Sequence, residues 1–89
     1  MMKLFLIHCG FYDEEISEGI YEFHINIPVV AESLEAAKSK VRLNPIFKRK
    51  KMHIDGIEEI TMVEGHRVQM ISEGATETTV VQHHLHRDL

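Results

Sequence analysis

The sequence predicts a single α+β domain in the order β-β-α-β-β, a mainly antiparallel sheet with one helix packed on one face. Three observations carry this. An apolar run near the N-terminus is followed by strict alternation over residues 21–30, the period of strands. A helical repeat of small and apolar residues follows Ser33. Two further strand-like stretches then meet at Glu64-Gly65, a tight-turn pair. A chain of 89 residues has room for one domain, assigned to residues 1–73, and residues 74–89 read as a Thr- and His-rich tail.

Each element has its own reason. Lys3 to Cys9 is almost continuously apolar, which suits a central strand covered on both faces. Gly10 ends it, and Asp13 to Gly19 form a polar return. Tyr21, Phe23, Ile25, Ile27 and Val29 then fall on one face, with Glu22, His24, Asn26 and Pro28 on the other. Pro28 has no N–H for a ladder, so this strand lies at an edge or is unpaired at that point. Its pairing with the first strand is expected to be antiparallel.

Ser33 is the expected N-cap of a helix over 33–44, with Glu35 in its first turn and Leu34, Ala37 and Val41 facing the sheet. Asn44-Pro45 stops it, because the residue before proline is pushed out of the α region. Ile46 to Met52 reads as a basic connector, His53 to Val63 and His66 to Ile71 as strands, and Thr78 to Val81 as a short edge strand. The core is expected from Phe5, Ile7, Phe23, Ile25, Ile27, Ile60, Met62 and Val68. A bulge near Gly56 would reverse the faces assigned beyond it. One helix leaves the second sheet face to solvent or to a partner.

Composition bounds function more loosely. A lone cysteine excludes an internal disulfide, and with no export signal it suggests a reducing, cytoplasmic setting. The N-terminal apolar run is too short to span a membrane. Net charge is −4, yet seven of the ten Lys and Arg lie between Lys38 and Lys51. That pattern favours a local anionic contact through Lys48, Arg49, Lys50 and Lys51 over a whole-molecule grip on nucleic acid. Phe47 is the only aromatic nearby, so no base-stacking platform accompanies the charge. A thin core and an uncovered face favour self-association as a homodimer, and a partner protein is a further option.

The stretches Glu22-Phe23-His24, Pro28 to Ala36, Lys51 to Gly56 and the Val63-Glu64-Gly65 turn together resemble a small bacterial family known only as a domain of unknown function. The resemblance spans roughly residues 3–71 and implies a fold and two histidine positions, with no activity attached. Members usually carry a glycine pair and a Pro-Gly in the first loop, where this chain has Cys9-Gly10-Phe11-Tyr12 and an acidic stretch.

No residue set amounts to an enzyme signature. There is no glycine-rich phosphate loop, no Ser-His-Asp set, no cysteine pair for a metal and no spacing that calls for a cofactor. Cys9 reads as a buried structural residue, with His8 on the opposite face. His83, His84 and His86 read as a His-rich tail before they read as metal ligands.

Parity marks a different group. His53, Asp55 and Glu59 alternate with Ile54, Ile60 and Met62, which places them on the open face beside Glu22, His24 and Asn26. His24, His53 and Asp55 are therefore the candidate ligand site. Imidazoles and carboxylates so placed serve a divalent metal, or a base with an orienting acid. The plainer reading is a solvated or dimer-forming face. Two functions follow: a non-enzymatic self-associating or regulatory module, and a small metal- or acid/base-dependent enzyme.

Overall fold

The computed structural model describes residues 1–13 and 21–74. The chain runs β1 (Lys3–Tyr12), β2 (Glu22–Ala31), α1 (Leu34–Arg42), α2 (Pro45–Arg49), β3 (His53–Glu59), β4 (Met62–Val63) and β5 (His66–Arg67). The expected edge strand over Thr78–Val81, the His83–His86 cluster and the acidic residues 14–18 lie outside the described residues.

β1 sits at the centre of a three-stranded antiparallel sheet, order β2-β1-β3. Its register with β2 pairs Phe5 with Val29, Ile7 with Ile27 and Cys9 with Ile25, so odd-numbered residues of both strands share one face. That face carries Phe5, Ile7, Cys9 and Phe11, all buried, under Ala37 and Val41 of α1. Phe23, Ile25, Ile27 and Val29 flank the cluster, partly buried. Full burial of a side chain such as Ile7 or Val41 is worth about 1.5–3 kcal/mol. Among the described residues β2 is an edge strand, which suits Pro28.

α1 begins where the sequence places it. Ser33 is extended, and its hydroxyl accepts from the Ala36 N–H at 3.1 Å. The helix ends at Arg42, with Leu43 as C-cap. The basic connector contains a second short helix. Asn44 caps it by accepting from the Ile46 and Phe47 N–H groups, and Pro45 takes the first position, where no N–H is needed.

The structure corrects several expectations. β1 is central, but among the described residues it is covered on one face only; its other face presents an exposed His8 and half-buried Leu4 and Leu6. Leu34 is 45% exposed and stays out of the core, whereas Ala36 packs beside the buried Ala37 and Val41. Tyr21 is exposed at 67% and precedes β2.

The expected strand over His53–Val63 breaks after Glu59. Ile60 still donates its N–H to the Leu4 carbonyl, at 2.9 Å, before the chain turns off into the separate β4-β5 hairpin. Met62 is consequently 60% exposed, and Ile60 and Val68 are only partly covered. The hairpin turn itself is as expected: Glu64 and Gly65 both have positive φ, 50° and 81°, the requirement of a two-residue turn that follows strand twist.

A bulge in β3 governs everything on the open face. His8 pairs with Gly56 but Cys9 pairs with Ile54, so Asp55 is an extra residue opposite β1. Ile54 and Ile57 differ in parity, and a regular strand can bury only one of them. The bulge brings both against the core, beside Cys9 and Ile7. It also reverses the parity beyond Gly56: Glu58 pairs with Leu6 on the open face, and Glu59 pairs with Phe5 on the helix side. Glu59 thus leaves the group of His53 and Asp55.

Candidate functional site

The site starts from a row across the sheet. His24 on β2 and His53 on β3 are the register partners of Gly10 on β1, one on each side. Strands lie about 4.8 Å apart, so two imidazoles flanking a residue without a side chain can lean over it and meet. Glu22 joins from two residues before His24, on the same face. Asp55 joins from the bulge.

The four side chains interlock. His24 Nε2 lies 3.0 Å from Glu22 Oε1 and 3.2 Å from Asp55 Oδ2. His53 Nε2 lies 2.8 Å from Glu22 Oε2 and 3.1 Å from Asp55 Oδ1. Each carboxylate therefore gives one oxygen to each imidazole. All four side chains keep between 31% and 46% of their surface in solvent.

Gly10 is the floor. A Cβ built on it would stand 2.6 Å from Asp55 Oδ2, 2.6 Å from His53 Nε2 and 3.0 Å from Glu22 Oε2. Such a group would occupy the space into which the polar atoms converge.

His8 borders the cluster. Its ring stacks on His24, with centroids 4.9 Å apart and planes 11° from parallel. Its Nδ1 meets Asn26 Oδ1 at 2.8 Å. Among the described residues, two sets of three have donor atoms within 4.8 Å of one another: Glu22, His53 and Asp55, and His8, His24 and Asp55.

His24, His53 and Asp55, the three residues nominated from parity, are thus brought into direct contact. Glu22 was placed on the right face without being nominated. Gly10 and His8 were missed. Their signal, a glycine and a histidine at even positions of β1, becomes readable only once the register is known.

The other candidates lie elsewhere. Cys9 is fully buried on the helix side, and its thiol points to the Ile7 carbonyl. Burial pushes the thiol pKa up, and the negative charge of Asp55 adds to the rise. Lys48, Arg49 and Lys51 are exposed around α2, but Lys50 turns inward. Its Nζ reaches the buried Asp13 carboxylate at 2.6 Å and passes 5.9 Å from the Phe11 ring centroid. The basic block is therefore not four free cations.

A family model described as Domain of Unknown Function (DUF1543) matches residues 20–70, more than half of the chain. The chain belongs to that family. The DUF1543 match takes in β2, α1, α2, β3 and the β4-β5 hairpin, and with them Glu22, His24, His53 and Asp55. Gly10 and His8 lie before it. No curated protein and no solved structure matches the chain. Among the described residues, no helix is long and apolar enough to cross a membrane.

Proposed function

We propose that this chain is a divalent-metal-binding module whose site is formed by Glu22, His24, His53 and Asp55 above Gly10. One observation carries the reading: two imidazole Nε2 atoms face four carboxylate oxygens at 2.8–3.2 Å. An imidazole nitrogen carries at most one proton, so N–H donation supplies two donors for four acceptors. A cation accepts from the nitrogens and the oxygens alike. Two donors each about 2.1 Å from one ion lie about 3.0 Å apart at the right angles of octahedral coordination and about 3.4 Å apart at tetrahedral angles, so the observed 2.8–3.2 Å is nearer the octahedral case. Imidazole with carboxylate suits zinc, manganese, cobalt or ferrous iron. The solvent-facing side leaves coordination positions for water or substrate, as in catalytic metal sites, so the module fits a metal-dependent enzyme.

The test is a calorimetric titration of metal-stripped protein with zinc. Because His83, His84 and His86 can hold zinc themselves, the parent is the full chain carrying His83→Gln, His84→Gln and His86→Gln. Binding lost with the further pair His24→Ala and His53→Ala, at unchanged circular dichroism, supports the site. Equal binding by both proteins refutes it.

A second reading, a self-associating module in homodimeric form, draws on the outer edge of β2, which no strand among the described residues pairs with. Beside that edge an open cleft of about 590 Å³ is lined by Ile27, Val30, Val41, Leu43 and Pro45. Sedimentation as a monomer at tens of micromolar would remove it. The buried, unpaired Cys9 fits a reducing, cytoplasmic setting for either reading.

A further inference from the structure

We infer that His8 is the positioning residue of this site: held by Asn26, its ring sets the plane of His24 and aims the His24 Nε2 at the ion, without binding metal itself. This rests on the metal-binding reading above and adds to it a residue outside the ligand set.

The cross-strand rows place the ring. Gly10, the register partner of His24, has no side chain, so nothing stands directly opposite His24 on β1. The diagonal neighbour on that face is His8, and aromatic side chains reach across such diagonals. His8 itself pairs with Asn26 on β2 and with Gly56 on β3, so only the β2 side offers it a side chain. The ring takes that side, stacked on His24 with centroids 4.9 Å apart and planes 11° from parallel.

The stack decides what His8 can do. An imidazole nitrogen binds a metal through a lone pair that lies in the ring plane. Two nearly parallel rings, one over the other, share no point at which both lone pairs aim. His8 therefore takes no place on the ion that His24 holds. What it fixes is the tilt of the His24 ring.

His24 needs that support. A metal-bound histidine is usually oriented by a hydrogen bond from its other ring nitrogen. Among the described residues His24 Nδ1 has no such partner, and the two polar contacts of the ring, to Glu22 and Asp55, both fall on Nε2. Those are the contacts an ion would replace. The side chain keeps 40% of its surface in solvent, so packing alone does not hold it. The stacked face of His8 supplies the constraint.

His8 is itself anchored. Its Nδ1 lies 2.8 Å from Asn26 Oδ1. A carbonyl oxygen only accepts, so the proton sits on Nδ1 and that edge of the ring is pinned. Asn26 and His24 stand two residues apart on one face of β2, so clamp and ligand ride on the same strand.

Cobalt(II) reads the test, because its visible absorption reports which groups coordinate it. Metal-stripped full chain, carrying the three tail His→Gln substitutions, is titrated beside its His8→Phe and His8→Ala variants, each at unchanged circular dichroism. His8→Phe keeps a ring and loses both nitrogens; affinity should stay within about threefold of the parent, with the same spectrum. His8→Ala removes the ring; affinity should fall about tenfold or more, and the spectrum should change as His24 leaves the ion. His8→Leu replaces the alanine variant should that one misfold. A loss in His8→Phe equal to that in His8→Ala shows that a nitrogen is required and overturns positioning by the stack. Parent-like binding by His8→Ala overturns it too, and either result leaves the metal site standing. No cobalt binding by the parent overturns both.

Discussion

Gly10 lies so close beneath Asp55 that a Cβ on the glycine would stand 2.6 Å from the Asp55 Oδ2. The atoms in the way, Asp55 Oδ2, His53 Nε2 and Glu22 Oε2, are the far ends of side chains. Gly10→Ala is therefore expected to splay the cluster while the sheet persists. Zinc affinity should fall about tenfold or more, roughly 1.4 kcal/mol per decade. Calorimetry alongside thermal unfolding checks this, and unchanged affinity would show that Gly10 is not the floor of the site.

Gly56 is the control for that substitution. A Cβ there meets nothing nearer than His8 Cβ at 4.0 Å, an ordinary contact. Gly56→Ala should leave metal affinity within about threefold of the parent, less than 1 kcal/mol. The same titration reads it, and a loss as large as that for Gly10→Ala would mean the bulge, not the floor, controls the site.

Core and helix surface should separate clearly in stability. Ile7 is fully buried at the centre of the sheet, and Ile7→Ala should cost about 2–5 kcal/mol. Leu34 is 45% exposed, and Leu34→Ala should change stability by no more than about 0.5 kcal/mol. Urea unfolding measures both. Equal losses would contradict the helix orientation.

Cys9 provides a test in which pH matters. Burial first, and Asp55 second, raise its thiol pKa, so the folded chain holds the proton more tightly than the unfolded chain. The associated stability is fully present below the ordinary thiol range and is lost as pH rises above it through the raised pKa of the folded state. Native protein should resist alkylation near pH 8, and unfolded protein should react at once. Cys9→Ser should leave metal binding intact, because the thiol lies on the helix side of the sheet. Rapid alkylation of the native form would place Cys9 at the surface instead.

The faces of this fold were legible in the sequence where one period ran uninterrupted. Alternation over β2 gave its two faces directly, and Ser33, Asn44 and Glu64-Gly65 marked boundaries by side-chain and backbone chemistry. Leu34 shares the helical stripe of Ala37 and Val41, but at the first position of α1 it is 45% exposed, so periodicity alone overstates its burial. β3 could not be assigned by parity alone, since Ile54 and Ile57 demand opposite registers and only an inserted residue reconciles them. His24, His53 and Asp55 were readable as one face. That Gly10 stands between the two histidines depends on strand order and pairing, which no local pattern encodes.

The most direct measurement is anomalous diffraction at the zinc absorption edge, from crystals of the full chain grown with zinc. Strong anomalous peaks above Gly10, within about 2.0–2.2 Å of His24 and His53 Nε2 and of the carboxylate oxygens of Glu22 and Asp55, are the expected result. Zinc found only at His83, His84 and His86, with His24 and His53 still in contact with bare carboxylates, would contradict the open sheet face as a metal centre.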